Sequence, residues 1–135
     1  MTRFEGGFPA LLTPFTAGGF AIDEPGVRRM VDYVMDAGVH GLFVGGTTGE
    51  GISLTVEERQ RLAEVVMDQA ARRCRVIFLC AANQPWDAVA LARQAEQLGA
   101  DGAALLPPWY YAVDAKGLAR HIQAVAEAVP GLPIF

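Results

Sequence analysis

Ala37-Gly38-Val39-His40-Gly41-Leu42-Phe43-Val44 is echoed about 60 residues further on by Leu98-Gly99-Ala100-Asp101-Gly102-Ala103-Ala104-Leu105, a distance that accommodates two strand–helix units of roughly 30 residues each. In both copies a glycine closes a helical stripe and a short apolar run begins. Runs that are apolar throughout, rather than alternating, belong to parallel sheets. The echo therefore predicts a repeating βα chain.

The rest of the sequence extends this rhythm in both directions. Phe8 to Thr13 reads as a first strand, ended by Pro14. Asp23 is placed to cap a helix with Pro25 in its first turn, where proline is tolerated. Val27, Met30, Val31, Val34 and Met35 follow on one face. Gly41 to Gly45 is the second strand. Thr55 and Glu58 form a capping box for a helix whose stripe includes Leu62, Val65, Val66 and Ala70. Arg75 to Cys80 is the third strand. Pro85 opens a helix carrying Leu91, Ala95 and Leu98. Ala103 to Leu106 is the fourth strand, and Asp114 caps a helix with Leu118, Ile122, Val125 and Val129. Leu132 to Phe135 begins a fifth strand.

Composition narrows the class. The chain has 135 residues and is 52% hydrophobic before its 15 glycines are counted, above the roughly 45–50% that is usual with glycine included. Charged residues make up 19% and the net charge is −4. A disordered chain is excluded. With that net charge and no basic cluster longer than Arg72-Arg73-Cys74-Arg75, a nucleic-acid partner is not expected. The apolar run from Val76 to Ala82 is far shorter than a membrane span requires, and Glu5 and Pro9 interrupt any signal-peptide core. Cys74 and Cys80 match neither a zinc nor a CxxC redox spacing, so a reducing, cytoplasmic location is expected. Of the 11 basic residues, only Lys116 is a lysine.

Two architectures suit the rhythm, a (β/α)₈ barrel and an open doubly wound sheet. The open sheet would place a glycine-rich phosphate loop after its first strand, and none occurs between Thr13 and Asp23. The barrel needs roughly 250 residues, about twice this length.

Gly45-Gly46-Thr47-Thr48-Gly49-Glu50 directly follows the second strand, at the end where βα proteins build their sites. Its glycines allow a tight turn with exposed N–H groups, and two hydroxyls add donors. The set suits a small carboxylate; a glycine- and threonine-rich connecting loop is the plainer alternative. No Gly-Lys-Ser/Thr follows, so it is not a P-loop.

The segment GGTTGEGISLTVEER, Gly45 to Arg59, resembles the signature of the dihydrodipicolinate synthase / N-acetylneuraminate lyase family. Phe8-Pro9-Ala10-Leu11-Leu12-Thr13-Pro14-Phe15 resembles that family's opening strand. Ala95 to Gly102 and Leu106-Pro107-Pro108-Trp109-Tyr110-Tyr111 resemble its fourth unit. The resemblance spans the chain and implies a (β/α)₈ TIM-type barrel, with residues 1–135 holding about the first four and a half units. It implies a lyase or aldolase that forms a Schiff base with pyruvate or another 2-oxo acid, with no cofactor or metal, in a homo-oligomer.

Carried over, the resemblance implies that Thr47, Thr48 and Gly46 bind the substrate carboxylate. Thr48 would join a tyrosine relay, and Tyr110 would reach toward a neighbouring subunit's relay. Asn83 is expected to serve loop structure. The family's Schiff-base lysine and catalytic tyrosine would both fall beyond Phe135. Lys116 reads as a solvated helix-turn lysine, so the chain alone is expected to be inactive, as part of a longer protein. Tyr111 stands where dihydrodipicolinate synthases proper have asparagine. Leu79-Cys80-Ala81 replaces a glycine-rich stretch and is expected to narrow the pocket mouth.

His40 is expected to be structural, and His121 solvent-facing. Glu57, Glu58, Arg59 and Arg61 are expected to form a charged outer helix face, with Cys80 a buried, inert thiol. The rival reading is a non-catalytic half-barrel that binds a 2-oxo acid or oligomerises.

Overall fold

A computed structural model of the chain describes residues 4–135. Helix α1 (Glu24–Asp36) leads to strand β1 (Gly41–Val44), a 3₁₀ turn (Gly51–Ser53) and α2 (Val56–Ala70). Strand β2 (Arg75–Leu79), α3 (Pro85–Leu98), β3 (Gly102–Ala104) and α4 (Ala115–Ala128) complete the order. The strands form one parallel sheet in the order β1-β2-β3, with Leu42 opposite Val76 and Ile77 opposite Gly102.

The two outer strand expectations are corrected in extent. Around Ala10 the chain runs parallel to β1 through one bridge to Phe43, with Leu11 N–H donating to the Phe43 carbonyl at 2.8 Å and Phe43 N–H to Pro9 at 3.0 Å. Pro9 itself has no N–H to donate, which limits the ladder. On the far side Ile134 bridges Ala103 in parallel, and Phe135 N–H donates to the Ala103 carbonyl at 2.9 Å. Five extended segments thus lie side by side in sequence order.

That order separates the two architectures. A doubly wound sheet reverses direction partway and carries helices on both faces. Here every segment neighbours the next, and α1, α2, α3 and α4 pack successively against one another. The main core joins Leu42, Val44, Val76 and Phe78 to Val27, Val31, Leu62, Val66, Leu91 and Val125 from the helices. The opposite sheet face carries a separate cluster of Ile77, Leu79, Ala81 and Ala104, with Phe4, Phe8 and Phe43 beside it and no helix residue. Helices on one face and an apolar inner face are the layers of a barrel wall.

Local signals account for most helix boundaries. The capping box of α2 closes in both directions, with Glu58 N–H donating to Thr55 Oγ1 at 3.1 Å and Thr55 N–H to Glu58 Oε2 at 2.8 Å. Asp114 accepts from Gly117 N–H at 2.7 Å. Asp23 departs from expectation. It occupies the N-cap position of α1 without a side-chain capping bond, and its carboxylate instead lies 3.5 Å from Arg29.

Two side chains lie opposite to their expected positions. Arg59 is buried, not part of the solvated face of α2. His121 is only 5% exposed and turned inward on α4, whereas Ile122 is 39% exposed. Val125 and Val129 are buried as the α4 stripe predicts, so the departure is confined to the exchange of Ile122 for His121 on the side of α4 that meets α3. The outer surface is tied by exposed ion pairs from α1 to α2 and the turn after it, Arg28–Asp68 at 2.6 Å, Arg61–Glu24 at 2.7 Å and Arg73–Asp32 at 2.8 Å. Such pairs each contribute little in water.

Candidate active site

The Gly45–Glu50 loop leaves the C-terminal end of β1 and folds back on itself. Gly51 N–H donates to the Gly46 carbonyl at 3.1 Å, and Glu50 N–H to Thr47 at 3.0 Å. Gly45 has φ +71°, a left-handed conformation that disfavours a side chain. Gly51 packs so tightly that a Cβ there would lie 1.8 Å from the Gly45 carbonyl oxygen. A side chain at Gly51 would force the backbone to move, and one at Gly45 would be strained by its positive φ.

The loop is held from beneath by a residue the sequence reading did not single out. Thr13 is 6% exposed, and its hydroxyl donates to the Gly49 carbonyl at 2.7 Å. Gly45, Gly46 and Gly49 are buried, while Thr47 and Thr48 stand exposed at the tip. The result is a rigid base presenting two adjacent hydroxyls, which can donate to a carboxylate without a counter-charge.

A second buried contact fixes the adjoining strand end. Arg59, in the first turn of α2, donates from Nη1 to the Ala81 carbonyl at 2.7 Å and from Nη2 to the Leu79 carbonyl. Burial pushes its guanidinium below the ordinary arginine range, opposed by Cys80 and Asp87. Arg59 lies three residues before Leu62 and seven before Val66, on the buried stripe of α2. Its charge concealed it. Cys80 is 1% exposed and belongs to the helix-side core, so it faces away from the inner surface. Burial pushes its thiol up to about 12, which makes it inert as expected. Leu79 and Ala81 do lie in the inner-face cluster.

Asn83 serves loop structure, its Oδ1 accepting from Trp109 N–H at 2.7 Å and joining the loops after β2 and β3. Tyr110 is 89% exposed and has φ +78°, uncommon for an aromatic residue. Its ring meets Tyr111 edge-on at 4.9 Å. Among the described residues no hydrogen bond joins Tyr110 to Thr48. Lys116 is exposed at the start of α4. His40 accepts through Nδ1 from Gly7 N–H at 3.1 Å, a structural contact at the opposite end of the strands.

A one-sided βα wall with a hydroxyl-bearing loop at its C-terminal edge places the chain in the class of (β/α)₈ barrels, as part of one. The chain belongs to the dihydrodipicolinate synthetase family, whose model matches residues 3–135. It is 44% identical over 132 residues to a 4-hydroxy-tetrahydrodipicolinate synthase of Thermus thermophilus, covering 98% of this chain and 44% of that protein. The structure of N-acetylneuraminate lyase from Mycoplasma synoviae superposes with a TM-score of 0.93 at 26% identity, over 98% of this chain and 45% of that one. YagE from Escherichia coli K12, solved in complex with pyruvate, superposes with a TM-score of 0.89 at 35% identity, over 94% of this chain and 42% of that one. The chain thus spans less than half the length of these relatives. Among the described residues no helix is long and apolar enough to cross a membrane.

Proposed function

We propose that these residues form the carboxylate-holding half of a Schiff-base lyase acting on pyruvate or a related 2-oxo acid, as the first four and a half units of its barrel. The loop geometry carries the reading: Thr47 and Thr48 project from a base locked by Thr13 and Gly51. Their hydroxyls and the Gly46 backbone hold the carboxylate, and Thr48 connects to a proton relay in which Tyr110 acts across a subunit boundary. The 89% exposure of Tyr110 supports a role directed outward from its own chain.

The imine-forming lysine and the catalytic tyrosine belong to the part of the barrel outside these residues. Lys116 is exposed on α4, outside the threonine loop. The chain alone therefore binds without converting. The apolar inner face supports closure by the rest of the barrel, and the exposed Leu12 and Ile52 support association into a homo-oligomer. Cys74 and Cys80, unpaired at opposite ends of β2, suit a reducing cytoplasmic location.

Titration of isotope-labelled chain with pyruvate tests the reading by NMR. The amides of residues 45–50 should shift, and Thr48→Val should abolish the response. Pyruvate that leaves these amides unmoved would refute it.

A further inference from the structure

We propose that the cavity between the start of α3 and the side of α4 that faces it binds a small organic carboxylate with an apolar body. The cavity has a volume of about 450 Å³ and is walled by Trp86, Pro108, Val113, Arg120 and His121, among others. It lies outside the sheet, apart from the threonine loop.

His121 supplies the main reason to expect a ligand. It is 95% removed from solvent, at 5% exposure, yet its Nε2 is buried with no hydrogen-bond partner among the described residues. A buried polar atom left unpaired is costly, and native structures rarely retain one without a reason. A ligand oxygen in the cavity would relieve that cost.

Charge and shape select the ligand class. Arg120 is exposed and makes no ion pair or hydrogen bond among the described residues. Helix α3 spans 14 residues, and Gln84 at its N-cap makes no side-chain capping bond. Pro85 and Trp86 of its first turn line the cavity, but Asp87 in the same turn offsets the helix's positive end. The charge selection therefore comes from Arg120, which favours an anion and opposes a cation. The remaining walls favour an apolar body, since Trp86 is 77% exposed and Val113 41% exposed. A bare inorganic anion would leave these surfaces in water, whereas an organic carboxylate covers them.

Phenylacetate is the probe, read by the fluorescence of Trp86 in a Trp109→Phe background. Saturable binding is expected. Arg120→Met should weaken it by about tenfold or more, the scale of one lost charged hydrogen bond, and benzyl alcohol should bind about tenfold more weakly. His121→Phe should also weaken binding, while the exposed Arg120 variant keeps the test decisive if the buried one does not fold. Thr48→Val should leave it unchanged. An absent saturable signal, equal affinity in Arg120→Met, or equal affinity for benzyl alcohol would overturn the proposal. Loss of binding in Thr48→Val would overturn it too, by assigning the probe to the threonine loop.

Discussion

Arg59 Nη1 lies 2.7 Å from the carbonyl oxygen of Ala81, across the junction between the start of α2 and the chain leaving β2. The same guanidinium reaches the Leu79 carbonyl. Two carbonyls, one at the last residue of β2 and one two residues beyond it, are thereby paired away from water. This contact holds the end of β2 beside the threonine loop, so the local fold and the site depend on one side chain.

Arg59→Ala should destabilise the chain by about 2–4 kcal/mol, because it strands two buried acceptors. Arg59→Met restores the stem packing without the donors and should recover only part of that loss. Urea unfolding followed by circular dichroism measures both. An Arg59→Met protein as stable as the parent would show that packing, not hydrogen bonding, is what matters there.

Cys80 makes stability fall in alkali. Its thiol is raised from an ordinary 9.0 to about 12 in the fold, so between those values the unfolded chain has released a proton that the folded chain retains. Stability is therefore complete below about pH 9 and declines above it, by up to about 1.4 kcal/mol per pH unit. Cys80→Ala should flatten the decline between pH 9 and 11. At pH 8, iodoacetamide should modify Cys74 in the native protein but Cys80 only in denaturant, as read by mass spectrometry.

Gly51→Ala should unlock the loop. The new methyl would meet the Gly45 carbonyl at 1.8 Å, and backbone on both sides resists movement, so a loss of about 3 kcal/mol is expected. Gly7→Ala is the comparison, since nothing lies within 4 Å of a Cβ there; it should change stability by less than about 0.5 kcal/mol. Thermal unfolding distinguishes the two.

Thr13→Val keeps the shape of the side chain and removes the hydroxyl that holds Gly49. The expected cost is about 1–2 kcal/mol, with faster hydrogen exchange at Gly49 and Glu50. Unchanged exchange would mean that the loop is rigid without this bond.

Borohydride treatment with pyruvate should leave the chain unmodified. Lys116 is exposed at the start of α4, away from the threonine loop that would hold the 2-oxo acid. A stoichiometric adduct at Lys116, seen by mass spectrometry, would contradict this.

The features legible in the sequence are local ones. The capping box at Thr55 and Glu58, the glycine-rich turn after β1 and the apolar repeat at Gly41 and Gly102 all depend on neighbours within a few residues, and each lies where the pattern indicated. Pairing of the outer segments was less legible. Pro9 and Pro133 interrupt donor rows, leaving Ala10 and Ile134 as isolated bridges within segments that read as full strands.

What the sequence by itself determined is the order of units, the position of the threonine loop and the absence of a second lysine, because periodicity, turn chemistry and residue identity are properties of the chain. Only the tertiary structure decided that helices cover one face of the sheet, that Thr13 supports Gly49, and that Arg59 and His121 turn inward. Each of those outcomes depends on which distant surfaces meet. A charged or polar residue can be buried when a carbonyl 20 or more positions away accepts its hydrogen bond, as for Arg59 with Leu79 and Ala81, and no local pattern records that acceptor.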